Sequence, residues 1–238
     1  MTCPTTAMVL AAGLGTRMRP LTDDRPKALV EVAGRTLIDH VLDRLVTAGV
    51  TRAVVNVHAF ADMLQAHLAY RRDLEIIISD ERPALLETGG GMKKARPLLG
   101  DDPVLVVNID SVWIDDGAPA IARLVEAWDP SRMDDLLLLV PVADSIGFGG
   151  RGDFFMSPDG RISHRGAAAS APYAYMGVHI IDPHRIDEWP AGPHGIFSHW
   201  MEYAEHGRLH GVVMQGLWMH VGDPAARDAA EARLTAAA

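Results

Sequence analysis

One stretch near the start of the chain reads Leu10-Ala-Ala-Gly13-Leu-Gly15-Thr16-Arg17-Met-Arg19-Pro20-Leu-Thr22-Asp-Asp-Arg25-Pro26-Lys27. The apolar run that leads into it, residues 7–12, predicts the first strand. The two glycines permit positive φ angles and a close approach of the backbone to a ligand, and successive N–H groups in such a turn can bind an anion. Four basic residues lie on the same loop, which two prolines stiffen. The stretch therefore predicts a fixed, positively charged cradle for a polyphosphate.

Two familiar phosphate-binding motifs do not match this loop. The dinucleotide fingerprint requires a third glycine where Met18 stands, and the chain has no Gly-x-x-x-x-Gly-Lys-Ser/Thr run. The pattern present is the longer Gly-x-Gly-x-Arg-x-x-Pro-x-Thr-x-x-x-Pro-Lys. It resembles the signature of the sugar-1-phosphate nucleotidyltransferases at every fixed position. Those enzymes join a sugar 1-phosphate to a nucleoside triphosphate and release pyrophosphate.

The resemblance implies a role for each part of the loop. Arg17 would hold the leaving pyrophosphate and Lys27 would contact the phosphates undergoing transfer. The nucleotide would lie along a set of neighbouring residues: Leu10, Ala11, Ala12, Gly13, Gly15 and Thr16. Composition supports Lys27 independently, because only three of the 22 basic residues are lysines. A compact ammonium charge differs from the planar fork of arginine, which the chain uses elsewhere.

Length and composition limit the possible classes of protein. The 238 residues suffice for one large domain with a substantial core. The formal charge of −9 argues against a general nucleic-acid binder, and the longest aliphatic run is too short to span a membrane. The single cysteine, Cys3, excludes an internal disulfide and has no predicted role. The start lacks the pattern of a secretory signal, so we expect a cytoplasmic enzyme.

Strand and helix patterns alternate after the loop. Apolar residues repeat on one helical face over 37–46, with Thr36 as the predicted cap, and residues 53–57 and 76–78 predict strands. This alternation predicts an α/β fold with a Rossmann-like mixed, mainly parallel sheet and helices on both faces. The resemblance implies the nucleotide-diphospho-sugar transferase type of that fold. We expect one catalytic domain over 1–238, with an irregular sugar-side region around 147–182.

A second glycine-rich run reads Leu86-Glu87-Thr88-Gly89-Gly90-Gly91. It is predicted to lead into a helix, and backbone donors at a helix start can serve a phosphate or a base edge. In the resembled family a loop here contacts the base, which implies Glu87, Thr88, Gly89 and Gly90 as nucleotide-binding residues. The form of the run is most similar to the uridylyltransferases that act on N-acetylmuramate 1-phosphate.

An apolar strand from Val104 ends in Asn108-Ile109-Asp110. Parallel sheets bind ligands beyond the carboxyl ends of their strands, so Asp110 is a candidate ligand for Mg²⁺, which prefers a few carboxylates and substrate phosphates. The family has Asn-Gly-Asp here, and the replacement of its glycine by Ile109 is predicted to narrow or reshape the pocket. Asn108 is assigned to the sugar phosphate.

The second metal aspartate of the family, in a Trp-x-Asp-x-Gly run, is replaced by His220 in Trp218-Met219-His220-Val221-Gly222. Three arrangements of the metal site remain open. In the first, Asp110 and substrate phosphates hold Mg²⁺ and water completes its shell. In the second, Asp223 replaces the missing aspartate, and in the third, the site favours Mn²⁺ or Co²⁺, which accept nitrogen ligands more readily.

The sugar side is less well marked by motifs. Arg165 and Arg151 are alternative ligands for the sugar phosphate, and Gly177 is a predicted position of close approach in the strand over 173–181. The function implied is transfer from UTP to a sugar 1-phosphate, with N-acetylmuramate 1-phosphate as the best choice. The alternatives are a mannose-1-phosphate guanylyltransferase and a nucleotide-sugar-binding regulator that has lost catalysis. The expected partners are these small molecules, with no nucleic acid and no membrane.

Overall fold

The computed structural model describes residues 4–236, so Cys3 lies outside the described residues. The strands, in chain order, are β1 (Thr6–Leu10), β2 (Glu31–Val32), β3 (Arg35–Thr36), β4 (Arg52–Val57), β5 (Glu75–Asp80), β6 (Val104–Asn108), β7 (Ser111–Asp115), β8 (Asp135–Pro141), β9 (Ser145–Ile146), β10 (Phe154–Met156), β11 (Ile162–His164), β12 (Tyr173–Ile181), β13 (Leu209–Val213) and β14 (Gly216–His220). The α-helices are α1 (Leu37–Thr47), α2 (Ala61–Leu68), α3 (Glu87–Leu99), α4 (Ala120–Ala127), α5 (Pro183–Asp187), α6 (Phe197–Glu205) and α7 (Pro224–Thr235).

The largest sheet contains a parallel core in the order β5-β4-β1-β6. Strand β12 pairs antiparallel with β6 on one side and with β8 on the other, and β13 then adds parallel to β8. The hairpin β10–β11 joins the start of β12, within the irregular region predicted around 147–182. The predicted mixed, mainly parallel sheet is therefore confirmed, with β12 as the strand that reverses direction.

Helices cover both faces of this sheet, as predicted. One face packs against α1, α2 and α4, and the other against α3, α5 and α6. The predicted face of α1 is buried through Ile38, Val41, Leu42 and Leu45, and Thr36 caps the helix by accepting from Asp39 N at 3.3 Å. Within residues 4–236, no helix has the length and apolar character needed to cross a membrane.

A second, smaller sheet in the order β7-β14-β9 lies beside the carboxyl end of β6. Its apolar side chains form a cluster with α7, with Met18 of the loop over 10–27 (the glycine loop) and with residues that follow this loop. The buried members are Met18, Val30, Val32, Leu37, Val112, Met219, Val221 and Ala230. Met18, at the centre of the loop, is completely buried there. The loop is therefore anchored by packing at its middle, and this fixes the polar residues on either side of Met18.

The buried carboxyl group of Asp135 has no lysine or arginine partner among residues 4–236. Asp135 in β8 is completely buried, and its Oδ2 accepts from Trp200 Nε1 at 2.9 Å. His179 Nε2 is 3.8 Å from the same oxygen, but burial lowers the pKa of His179 to about 3, so this ring is neutral. Burial also raises the pKa of Asp135 well above its usual value. At neutral pH, Asp135 therefore keeps its proton in the folded protein and releases it in the unfolded chain.

Because Asp135 must keep its proton for the protein to fold at neutral pH, we expect Asp135→Asn to stabilise the protein. Below about pH 4 Asp135 is protonated in both states, whereas at higher pH the unfolded chain ionises and the parent loses stability. The amide keeps an acceptor for Trp200 and carries no ionisable group. We expect the unfolding midpoint at pH 8 to rise by about 2–4 °C for each kcal/mol of penalty removed. The gain should shrink as the pH is lowered to 4, as measured by thermal melts across this range. A lower midpoint at pH 8 would contradict the assignment.

Candidate active site

A cavity of about 370 Å³ opens at the carboxyl ends of β1, β4 and β6. Most of the residues predicted to bind a substrate or a metal ion line it: Leu10, Ala12, Gly13, Gly15, Thr16, Arg17, Lys27, Glu87, Thr88, Asn108 and Asp110. Ile109, which is predicted to narrow or reshape the pocket, also lines it. Residues without a predicted role complete the wall: Leu14, Asn56, Glu81, Leu85 and Gly222. Two segments that are distant in the chain, the glycine loop and the start of α3, thus face one space.

The fixed residues of the glycine loop contact one another. Gly15 has a φ of 63°, and a Cβ atom there would lie 3.0 Å from Lys27 Cβ and 3.1 Å from Thr22 Cγ2. Thr22 Oγ1 donates to Gly15 O at 2.8 Å, which closes the loop on itself. A Cβ on Gly13, in contrast, would meet no described protein atom within 4 Å. The glycine, threonine and lysine of the signature are therefore one packed unit, whereas packing among residues 4–236 does not require a glycine at position 13.

Lys27 follows Pro26 at the start of a short 3₁₀ turn over Lys27–Leu29. The turn is closed by Leu29 N, which donates to Pro26 O at 2.9 Å, and it leaves Lys27 only 8% exposed. Lys27 Nζ donates to Asp110 Oδ2 at 2.7 Å. The residue predicted to contact the phosphates and the residue predicted to bind the metal thus form an ion pair on the wall of the cavity.

Asp110 has a second neighbour, the imidazole of His220. His220 in β14 lies opposite Ser111 of β7, and its Nε2 is 3.5 Å from Asp110 Oδ2. Burial acts to raise the pKa of Asp110, but His220 and the Lys27 ammonium together outweigh it, so this pKa lies well below the usual range. Asp110 is therefore ionised at neutral pH. The structure places His220 beside the predicted metal ligand rather than elsewhere in the core.

The position of Asp223 does not favour its use in place of His220. Asp223 is the N-cap of α7, and its Oδ1 accepts from Ala226 N at 2.8 Å. A cap residue satisfies N–H groups that would otherwise lack a partner at the helix start. The carboxylate of Asp223 thus already serves α7. That His220 replaces the second metal aspartate of the family stays a prediction.

The second glycine-rich run has a different structure from the one predicted. The expectation that the glycines precede the helix is wrong, because α3 begins at Glu87 and contains all three. At each of the three glycines, other protein atoms occupy the space that a side chain would need. A Cβ atom at Gly89 would lie 2.5 Å from His194 Cδ2, one at Gly90 would lie 2.3 Å from Gly192 O, and one at Gly91 would lie 2.8 Å from Glu81 Oε1. Gly90 N also donates to His194 O at 3.0 Å.

Glu87 and Thr88 are the residues of this run that face the cavity. Glu87 adopts a φ of 60°, which is unusual for a residue with a side chain and occurs more often at functional positions. Thr88 Oγ1 accepts from Ile196 N at 3.0 Å, so the loop before α6 holds it in place. Contacts of Gly89 and Gly90 with a nucleotide stay predictions.

The sugar-side residues fall into two groups. Gly177 has a φ of 83° at an irregularity in β12, and a Cβ there would lie 2.5 Å from Ser111 Oγ and 3.0 Å from Asn108 Cβ. Its close approach is thus to the last residue of β6 and the first residue of β7, which flank Asp110 in the chain. Arg151 and Arg165 do not line the cavity, and Arg165 donates to Gly152 O and Ala168 O, both at 2.9 Å. A role of either arginine toward a sugar phosphate stays a prediction.

Sequence reasoning did not identify Asn56 and Glu81, which are both buried and line the cavity. A signal was present, because each is a polar residue at the end of a strand in the parallel core. The rule that identified Asp110, that ligands bind beyond the carboxyl ends of such strands, applies to them equally.

Residues 6–150 match the Nucleotidyl transferase family. This match covers more than half of the chain and includes both segments that face the cavity. The chain belongs to this family. The resemblance that the glycine loop predicted is therefore confirmed.

Individual relatives agree with this assignment. The chain is 56% identical to the N-acetylmuramate alpha-1-phosphate uridylyltransferase of Caulobacter vibrioides over 98% of each sequence. It is 36% identical to the enzyme of the same name from Neisseria meningitidis serogroup B, over 91% of this chain and 92% of the relative. Mannose-1-phosphate guanyltransferase beta-B of Xenopus laevis is more distant, at 27% identity over 92% of this chain and 61% of its own length.

Solved structures show the same fold. A UDP-glucose pyrophosphorylase complexed with UDP-glucose superposes with a TM-score of 0.79 over 98% of this chain and 99% of its own, at 14% identity. The inositol-1-phosphate CTP transferase from T. maritima gives a TM-score of 0.78 over 95% and 92% of the two chains, at 17% identity. At these identities the superpositions confirm the predicted fold class alone.

The position of Lys27 predicts a large kinetic effect of its removal. Lys27→Ala should lower kcat by roughly 10²–10³, as is typical for the loss of one preorganised charge at a reacting centre. The matched control is Lys93→Ala, because Lys93 Nζ donates to the carbonyl oxygens of Ile186 and Asp187 and does not line the cavity. Pyrophosphate release at saturating substrate concentrations measures both variants. A near-normal kcat for Lys27→Ala would show that the ion pair is not part of the catalytic site.

Proposed function

We propose that this protein joins UTP and N-acetylmuramate α-1-phosphate to give UDP-N-acetylmuramate and pyrophosphate. The observation that carries the proposal is the cavity itself, where Arg17, Lys27 and Asp110 lie at the ends of the parallel strands. The choice of nucleotide and sugar is supported by the 56% identity to the uridylyltransferase of Caulobacter vibrioides, which extends over nearly the full length of both chains.

The proposed reaction is an in-line displacement at the α-phosphorus of UTP. A phosphate oxygen of the sugar 1-phosphate forms a bond to this phosphorus, the bond from the α-phosphorus to the oxygen bridging toward the β-phosphorus breaks, and pyrophosphate leaves. The attacking oxygen is already anionic, so no general base is needed. Catalysis of this type depends on positioning and on neutralising charge. Lys27 is placed to neutralise the phosphates in transfer, and Arg17 to hold the leaving pyrophosphate.

The glycine loop supports the proposed binding of the triphosphate. Gly13 lines the cavity, and its open side has no described protein atom within 4 Å of a Cβ position. A backbone without a side chain at this point lets phosphate oxygens approach its N–H groups. Arg17 also lines the cavity, which places its guanidinium to meet the phosphates of the substrate.

The donor set fits a hard divalent cation held by few protein ligands. Asp110 is ionised, and its neighbours on the cavity wall leave space in which substrate phosphates would complete the shell. Asp110 would hold Mg²⁺, with His220 next to it, and the ion would neutralise phosphate charge. Mn²⁺ is the alternative, because it accepts imidazole nitrogen more readily.

A pyrophosphate-release assay over a matrix of substrates tests the proposed function. We expect Mg²⁺-dependent turnover with UTP and N-acetylmuramate 1-phosphate to exceed that of every other pair. GTP with mannose 1-phosphate is the informative competitor, because guanylyltransferases for that sugar are more distant relatives. Turnover with this pair and none with UTP would overturn the proposed nucleotide and sugar. Lack of turnover with every pair, in the presence of nucleotide binding, would favour a regulator.

The replacement of an aspartate by His220 predicts an altered metal requirement. His220→Asp places a hard anionic oxygen ligand beside Asp110, so the apparent Mg²⁺ concentration for half-maximal activity should fall several-fold relative to the parent. The preference for Mn²⁺ over Mg²⁺ should fall with it. Titrations of both metals measure the two effects. An unchanged metal profile in His220→Asp, together with loss of activity in Asp110→Ala, would exclude His220 from the surroundings of the metal.

A further inference from the structure

A buried pair of polar side chains joins the two segments that face the cavity. Asn56 lies near the end of β4 and is 3% exposed, and Glu81 directly follows β5 and is completely buried. The side chains are neighbours because β4 and β5 are parallel and adjacent, with Val57 opposite Asp80. Neither residue belongs to the signature loop or to the glycine-rich run of α3.

Asn56 fixes the start of the glycine loop. Main-chain pairing between β1 and β4 ends at Val9 and Val55. Beyond this point Asn56 Oδ1 accepts from Ala11 N at 2.6 Å and from Ala12 N at 3.2 Å. The Asn56 side chain thus accepts from the N–H groups of Ala11 and Ala12, which lie beyond the main-chain pairing of β1 with β4. It sets the direction in which the chain leaves β1 toward Gly13.

Glu81 connects Asn56 to the start of α3. Its Oε1 accepts from Asn56 Nδ2 at 2.8 Å, and its Oε2 lies 3.4 Å from Leu86 N, which donates to it. The backbone of Glu81 is also held, because its N donates to Val57 O at 2.8 Å and His58 Nδ1 lies 2.7 Å from its O. The carboxyl group is therefore fixed relative to both segments.

Gly91 makes room for this pair. A Cβ at position 91 would lie 2.8 Å from Glu81 Oε1 and 3.0 Å from Asn56 Nδ2, the two atoms that form the hydrogen bond. The third glycine of the run in α3 is thus explained by the pair. A side chain there would push apart the atoms that join the two cavity walls.

We propose that Asn56 and Glu81 are positioning residues that hold the glycine loop and the start of α3 at the separation a nucleoside triphosphate requires. This inference rests on the proposed function, because it takes the cavity to be the nucleotide site. The two oxygens of Glu81 and the oxygen and nitrogen of Asn56 are all engaged with protein, so the pair acts through the segments it holds. The sugar side, around Asn108 and Gly177, lies on β6 and β12, and β1 separates β6 from β4 in the sheet.

Single substitutions should impair nucleotide binding selectively. Asn56→Asp keeps the acceptor for Ala11 and Ala12 but places two carboxyl groups against each other. Glu81→Gln keeps the shape, but its one acceptor oxygen cannot serve both Asn56 Nδ2 and Leu86 N. We expect KM for UTP to rise about tenfold in each variant, as for the loss of one buried hydrogen bond. KM for the sugar 1-phosphate should change by less than about twofold.

The double substitution Asn56→Asp with Glu81→Gln reverses the direction of the central hydrogen bond. The carboxylate introduced at position 56 would accept from the amide nitrogen introduced at position 81. The amide oxygen at position 81 would accept from Leu86 N, so every contact of the parent is formed again. We expect KM for UTP to return to within about threefold of the parent. If the pair served folding alone, the single substitutions would not raise KM for UTP selectively, and the double substitution would not restore that value alone.

The matched control is Arg52→Gln. Arg52 Nε donates to Glu75 Oε2 at 2.9 Å and joins the same two strands at their opposite, exposed ends. This variant should leave both KM values unchanged, and thermal melts should confirm that all variants fold. Equal increases in both KM values, an unchanged KM in Glu81→Gln, or a double variant no better than the single ones would each overturn the proposed positioning role.

Calorimetric titration with UTP separates failure of this inference from failure of the proposed function. If the parent binds UTP but turns over no substrate pair, the proposed function fails, and the Kd values of the variants still test the pair. The expected order of affinity is parent, then double variant, then single variants. A parent that binds no nucleoside triphosphate would overturn both proposals.

Discussion

The ion pair between Lys27 and Asp110 is the contact on which the candidate site depends. It joins the glycine loop to the end of β6, 83 positions further along the chain, through one distance of 2.7 Å. A buried charge that loses its partner is costly, so each residue requires the other to be held in place. The packed unit of Gly15, Thr22 and Lys27 provides this on one side, and the cluster around Met18 anchors the loop from behind.

The same pair fits the proposed binding of a highly negative triphosphate by a protein that is itself negatively charged. The protein carries a formal charge of −9, yet the loop presents Arg17 and Lys27 to the cavity while Asp110 supplies a fixed negative charge. Under the proposed function, a triphosphate bound with its divalent cation would bring one partner for each residue of the pair. Lys27 would exchange the carboxylate for a phosphate, and Asp110 would exchange the ammonium for the cation. Neither charge would be left unpaired during this exchange, which would keep the cost of binding low.

The parts of the structure that the sequence predicted are those set by local pattern. The helical face over 37–46, the strand over 173–181 and the strand-end position of Asp110 follow from periodicity and from the chemistry of a few residues. The start of α3 could not be predicted, because glycine disfavours helices and only contacts distant in sequence, at Gly192 and His194, make it the required residue there. Arg165 shows a further limit, since a guanidinium can be satisfied by any carbonyl oxygen within reach. The partnership of Asn56 with Glu81 depends on the register of β4 and β5, which no spacing in the sequence specifies.

The glycines of this site separate into two kinds once their surroundings are known. At Gly89, Gly90 and Gly91 the place of a side chain is taken by protein atoms within 3 Å, and at Gly15 the φ angle adds a second reason. These positions require glycine whether or not a ligand binds. Gly13 has open space where a side chain would lie and no crowding by described residues, so the fold alone does not account for it. A glycine that the fold does not require, on the wall of a cavity that Arg17, Lys27 and Asp110 also line, fits the proposed approach of a ligand. Packing therefore accounts for the glycine at position 15 of the family signature but not for Gly13, which we assign to binding under the proposed function.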